Sequence, residues 1–200
     1  GMTLHRRAML EVLSLIPPNV SILAQENILT HLVHNLQAYP GWRSDLPPID
    51  YIVVDTTASW AYQDAPGEFW KYESTIAEKL PDLWSTGNYG VVTAVDGIWL
   101  WKRGLAQNVA LQVVISPGGH GLLASFYNNT LFEEEPAFNS VFLEIGPDPY
   151  HWFSYVVDNH FSTMWRRYLL LKLTPHANIK GPFSAKFNGY LYIPQSANYS

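Results

Sequence analysis

The chain has no cysteine among its 200 residues. That excludes disulfides, thiolate zinc sites and a cysteine nucleophile, and leaves the compartment open, because exported proteins without disulfides are common. It also has no apolar run near the roughly 18–20 residues that cross a bilayer, and no basic, apolar, small-residue leader at its start. Charge is sparse, with 12 Lys and Arg against 17 Asp and Glu, a formal net charge of −5, and no basic run longer than a pair. Neutralising phosphates needs clustered cations, so nucleic acid is not an expected partner. What is abundant is apolar and aromatic material, 48% and 14% of the chain, enough for one large core or two small ones.

Both ends read as cut. Gly1-Met2 is what tag cleavage leaves behind, and "GYLYIPQSANYS" stops inside a strand pattern. The expectation is a piece of a longer protein, so membrane segments are to be sought outside it.

"LHRRAMLEVLSLI" (4–16) has apolar residues at mostly helical spacing and is stopped by Pro17-Pro18. "NVSILAQ" reads as a short strand, and "ENILTHLVHNL" as a helix with Ile28, Leu29, Leu32, Val33 and Leu36 on one face. "IDYIVVDTT" (49–57) is continuously apolar up to Asp55, the pattern of a strand buried on both faces. "EFWKYESTIAEKLPDLW" suggests another amphipathic helix broken at Pro81, and "YGVVTAVDGIWLWKRG" a hairpin turning at Asp96-Gly97. Beyond residue 105 helical period gives way to alternation in "NVALQVVIS", "WRRYLLLKLT" and "FSAKFNGYLYIP", with a short helix conceivable in "EEEPAFNSVFLE". The fold class expected is α+β: a small mixed α/β domain over residues 1–105, then a β-rich sandwich or jelly-roll-like domain over 106–200, cut short at its C-terminus.

After these motifs, two resemblances stand out. Ile16-Pro17-Pro18, Val20-Ser21, Ala24-Gln25, His31-Leu32, Tyr39-Pro40, Asp50-Tyr51 and Asp55 resemble the C-terminal soluble part of the multi-pass membrane proteins of the domain-of-unknown-function 2079 family, over residues 10–104. Thr30 departs from the family's usual proline, and His34-Asn35 from its usual Ser and nearby Arg. That family is similar to polytopic glycosyltransferases with lipid-phosphate sugar donors, whose catalytic acid lies in a loop between membrane helices and outside this sequence. Gly121-Leu122, Phe126-Tyr127, Phe183-Ser184 and Gly189-Tyr190 resemble the start of a protective-antigen type lectin-like β-sandwich, with Phe187 in place of the usual tryptophan and Ala197-Asn198-Tyr199 in place of Gly-x-Tyr. In lectin members the calcium-binding Asp pair falls further along, beyond Ser200.

Several groups could carry chemistry. His31 and His34 at i and i+3 would be neighbours on a helix, as a shared metal requires, with Asp50 or Asp55 as third ligand. The plainer reading makes His31 a helix-start residue bonded to backbone. Asp50 and Asp55 flank one strand, at opposite ends and on opposite faces, so they cannot act together as an acid and base, although ligands favour such strand ends. "SPGGHG" lacks the Lys-Ser/Thr of a phosphate loop and reads as a turn. "EEEP" (133–136) offers hard carboxylates that suit calcium, but consecutive residues cannot all face one centre, so calcium has no further support. Tyr150, Trp152, Tyr155 and Trp165 lie in the richest aromatic stretch and could stack on sugars, fill a core or sit at a membrane interface. Three Asn-x-Ser/Thr sequons start at Asn19, Asn128 and Asn198 and are compatible with export.

The expected function is a non-catalytic accessory or recognition region on the extracytoplasmic face. It would adjoin the transmembrane portion of its own chain and contact glycan or cell-envelope material, with no cofactor of its own. The alternatives are a free-standing α/β enzyme with a strand-end site near Asp55, and a purely structural domain.

Overall fold

The structure, a computed structural model, describes residues 1–32, 37–55, 76, 79, 83, 86–106, 108–127, 129–143 and 184–190. Thr3 opens helix α1 (Leu4–Leu13) by accepting the Arg6 amide on its hydroxyl, which satisfies one of the donors a helix start leaves open. The helix ends three residues short of the Pro-Pro stop, its last turns tightening through Leu15 N to Val12 O and Ile16 N to Leu13 O. Strand β1 (Ile22–Ala24) and the single turn α2 (Glu26–Leu29) follow. Next come β2 (Ala38–Tyr39), which the sequence pattern does not reveal, and β3 (Tyr51–Asp55), buried at every position. Ile76, Lys79 and Leu83, from the stretch expected to be helical, are helical.

β4 (Tyr89–Val95) and β5 (Ile98–Arg103) form the expected hairpin, with Asp96 at φ 48° and Gly97 at φ 80°. Positive φ at both turn positions gives a reverse turn whose twist matches the strands it joins. The remaining strands are β6 (Leu122–Tyr127), β7 (Phe138–Phe142) and β8 (Ser184–Asn188). "NVALQVVIS" is not the expected strand. It makes a 3₁₀ turn at Val109–Leu111, then an extended segment that reaches β4 through Val113 N to Val92 O and the Thr93 hydroxyl to Val113 O. Nor does "EEEPAFNSVFLE" hold a helix at 138–142, which is β7. The "SPGGHG" turn is found, a 3₁₀ turn at Pro117–Gly119 with Gly118 and Gly119 at positive φ.

All eight strands join one mixed sheet, in the order β2-β1-β3-β5-β4-β7-β6-β8. β2, β1 and β3 run parallel, β3, β5 and β4 antiparallel, and β7, β6 and β8 antiparallel. The two blocks meet through a single parallel pair, Val95 with Val141, supported by Asp96 N to Val141 O. The sheet therefore continues across residue 105, and among the described residues there is one sheet where a second, stacked one was expected.

Both faces are covered. On one lie α1 and α2, whose Ala8, Met9, Val12 and Ile28 meet Ile22, Tyr51, Val53, Ile98 and Leu100. On the other, Ile52, Val54, Trp99, Trp101, Phe126, Phe138 and Phe142 pack with Ile49, Ile76 and the partly buried Trp42, Leu46 and Leu83. Strict alternation along β3 and β5 delivers these sets. In β4, a register shift between Val91 and Thr93 puts Val91 and Ala94 on the same face although they are three apart. Close approach also fixes Gly90, where a Cβ would stand 2.5 Å from the Leu105 carbonyl oxygen. Because the obstacle is backbone, Gly90→Ala is expected to lower stability by about 1–3 kcal/mol, read from the urea midpoint.

Candidate functional site

The candidate site lies at the carboxyl end of β1 and β3, the pole of a parallel sheet region where ligands commonly bind. Three groups from distant parts of the chain meet there. Asp55 is the last residue of β3 and is buried, Asp96 sits in the β4–β5 turn, and His5 projects from the first turn of α1. The ring of His5 lies between the two carboxylates, its Nδ1 2.7 Å from Asp96 Oδ2 and its Nε2 2.9 Å from Asp55 Oδ2. Gln25, which follows β1, completes the pole. Its side-chain oxygen accepts the Asp55 amide at 2.6 Å and its NH₂ donates to the Asp55 carbonyl at 3.2 Å. A side chain thus extends the β1–β3 ladder one step past the end of β1.

The hydrogen bond to Asp55, then that to Asp96, raises the His5 pKa from 6.5 to about 10 against the opposing effect of burial. An imidazolium in the first turn of a helix opposes the helix dipole, and the paired carboxylates outweigh that. With both nitrogens donating to acceptors, the ring has no lone pair to offer as a base. A cation cannot be shared by the ring and both carboxylates either, because they flank the ring on different sides. Among the described residues no group of three His, Cys, Asp or Glu side chains is arranged to hold a metal.

The sign of the pH dependence follows. The folded state binds the His5 proton more tightly than the unfolded chain does, so the clamp's contribution is fully present below pH 6.5 and is lost as pH rises through about 10. The urea midpoint of the wild-type protein is expected to fall between pH 7 and pH 10. In His5→Gln the same titration should fall by visibly less. Equal slopes would remove the clamp from the account.

Asp50 stands at the other end of β3 and does separate work. Its Oδ2 accepts from the Ser21 amide and hydroxyl at 3.0 and 2.8 Å, and its Oδ1 from Arg103 at 2.7 Å. The Ser21 amide first, then Arg103 and the Ser21 hydroxyl, hold its carboxyl below the usual 3.8. Asp50 and Asp55 are therefore anchors of opposite sheet poles.

The other sequence candidates are distributed as follows. His31 is exposed just after the end of α2, its amide donating to Ile28 O at 2.9 Å, and the residues that would follow it in a helix, 33–36, lie outside the described residues. His34, Tyr150, Trp152, Tyr155 and Trp165 lie outside the described residues, as do Thr56 and Thr57. Glu133, Glu134 and Glu135 are exposed in the β6–β7 loop, which Asn129 organises by accepting the Leu131 and Glu133 amides and donating to Glu133 O. Of the sequons, Asn19 is exposed at φ 62°, while the Ser21 hydroxyl it needs is buried against Pro48 O and Asp50; Asn128 and Asn198 are outside the described residues.

Sequence reasoning found Asp55 and missed His5, Gln25 and Asp96 as its partners. The one local signal was a histidine on the otherwise amphipathic α1, near a threonine cap. No helix among the described residues is long and apolar enough to cross a membrane. No protein-family model, curated protein or solved structure matches the chain.

Proposed function

We propose that these 200 residues act as an extracytoplasmic accessory or recognition region of a multi-pass membrane protein similar to lipid-linked-sugar glycosyltransferases, supplying contacts to glycan or cell-envelope material and no catalytic group. The observation that carries this reading is the use made of the strand-end carboxylates. Asp55 and Asp96 both hold the ring of His5, so the pole where a ligand-processing site is most expected is spent on fastening a helix. The resemblance of residues 10–104 and 119–200 to a membrane-protein tail and to the opening of a lectin-like sandwich agrees with it. In this reading Tyr150, Trp152, Tyr155 and Trp165 form the sugar platform, because aromatic faces stack on the C–H faces of sugars.

The test is calorimetric titration of the purified chain with a panel of cell-envelope polysaccharides, with and without calcium. Saturable binding that is lost in Trp152→Ala or Trp165→Ala is the expected result. Absence of saturable binding across the panel would leave a purely structural domain.

A second reading rests on a specific contact, the pairing of Asp55 with His5 at a strand end. A free-standing enzyme would use that pair to orient a substrate hydroxyl. Turnover of a glycoside or phosphate ester by the purified chain, abolished in Asp55→Asn, would favour this reading over the first.

A further inference from the structure

β8 ends at Asn188, and the chain leaves the sheet at Gly189. Asn188-Gly189 is the one Asn-Gly pair in the sequence. Both residues are exposed, and among the described residues neither the Asn188 carboxamide nor the Gly189 amide is engaged in a hydrogen bond. Because Gly189 has no side chain, its amide nitrogen is open to the carboxamide carbon one residue back. Asn188 is the last ladder residue of β8, in register with Leu123, so turning its Cα–C bond breaks no described pair beyond it. The other described asparagines each lack one of these features. Asn139 lies inside β7, between the β6 ladder and the Gln112 side chain that accepts its amide at 2.8 Å. Asn19 and Asn27 are exposed but precede Val20 and Ile28, whose branched side chains crowd the amide. Asn88 precedes the bulky Tyr89 that opens β4. Asn108 and Asn129 hold backbone amides with their side-chain oxygens.

We propose that Asn188-Gly189 is a modification site at which the folded protein deamidates without an enzyme and so shortens β8 from its C-terminal end. The Gly189 nitrogen, giving its proton to solvent, attacks Asn188 Cγ. A C–N bond forms, the Cγ–Nδ2 bond breaks, ammonia leaves and a five-membered succinimide remains. Water then opens either carbonyl of the ring, leaving an aspartyl or an isoaspartyl residue. One water is consumed and one ammonia released, with nothing oxidised or reduced. Alternation along β8 puts residue 188 on the face that carries Ser184 and Lys186. The aspartyl product keeps the main chain and sets its carboxylate on the same side as the exposed Lys186. The isoaspartyl product routes the main chain through Cγ, longer by a methylene, and the register with Leu123 is lost. The pairs of Ser184 with Tyr127 and Ala185 with Phe126 lie at the other end of β8 and remain. The inference is independent of the glycan reading.

The experiment is to age the full 200-residue chain at pH 8, folded and in urea, and to follow each asparagine by peptide mapping and mass spectrometry. Isoaspartate is read separately by enzymatic methyl transfer to it. The folded protein should convert Asn188 at a rate within about threefold of the unfolded chain, while folding slows Asn139 by about tenfold or more, since its reaction needs the strand to open. Asn188→Gln, whose longer side chain disfavours ring closure, should abolish the mass gain at 188. Amide exchange on the aged protein should accelerate at 187–188 and stay unchanged at 184–185. A folded-state rate at Asn188 slowed as much as that at Asn139 would overturn the proposal, and so would conversion that leaves exchange at 187–188 unaltered.

Discussion

Replacing Phe138 with alanine is expected to cost about 3–5 kcal/mol of stability. The side chain is fully buried on β7, stacked on Phe126 with centroids 4.7 Å apart and tilted against Trp99 at 5.5 Å. Phe126 and Trp99 belong to different blocks of the sheet, β6 and β5, and the backbone joins those blocks through one ladder pair and the adjoining Asp96 N to Val141 O bond. Aromatic packing across the junction therefore supplies what hydrogen bonding there does not, and the cavity left by the deletion cannot collapse without moving strands. At about 2–4 °C per kcal/mol for a chain of this size, the melting temperature should fall by roughly 6–20 °C. Leu131→Ala is the control: at 66% exposure it should stay within about 0.5 kcal/mol of wild type. A Phe138→Ala loss below about 1 kcal/mol would mean that the two blocks do not share this core.

Gln25→Ala should be the next most damaging change, at about 2–5 kcal/mol, because it strips the side-chain partner from both a buried N–H and a buried C=O of Asp55. The charge-changing variant sharpens the test. Gln25→Glu keeps an acceptor for the Asp55 amide, loses the donor to its carbonyl, and sets a second carboxylate beside the first. Its deficit should be largest at neutral pH and shrink as pH falls toward the carboxylate range, where the introduced acid takes up a proton. Urea midpoints at pH 7 and pH 4.5, each against wild type, read this directly. A deficit that does not change with pH would mean that the new carboxylate faces solvent.

The elements legible in the sequence are those whose cause is local. The β3 run was readable because burial on both faces removes alternation, the hairpin because Asp96-Gly97 can take positive φ at both positions, and α1 because its apolar spacing repeats. β2 escaped because two residues carry no period. "NVALQVVIS" misled because its Val and Leu side chains satisfy strand patterning, while the turn at Val109–Leu111 is set by Asn108, whose side chain accepts the Ala110 amide at 2.8 Å. Local pattern also cannot say which strands pair, so a separate stacked sheet was expected where β7 instead joins β4. At the candidate site Asp55 was visible as a polar end to an apolar run. His5 and Asp96 were not, since their meeting depends on α1 crossing the sheet face and on the hairpin bringing its turn to the same pole.

The narrow junction between β4 and β7 has a consequence for how the chain reaches this state. The β4–β5 and β6–β7 pairs each close between segments near in sequence and can form early. The Val95 and Val141 pairing adds little until side chains such as Phe138 and Trp99 are in place together. Assembly is therefore expected to end in the docking of two β-units, with the closing of a seam rather than the growth of a sheet as its slow step.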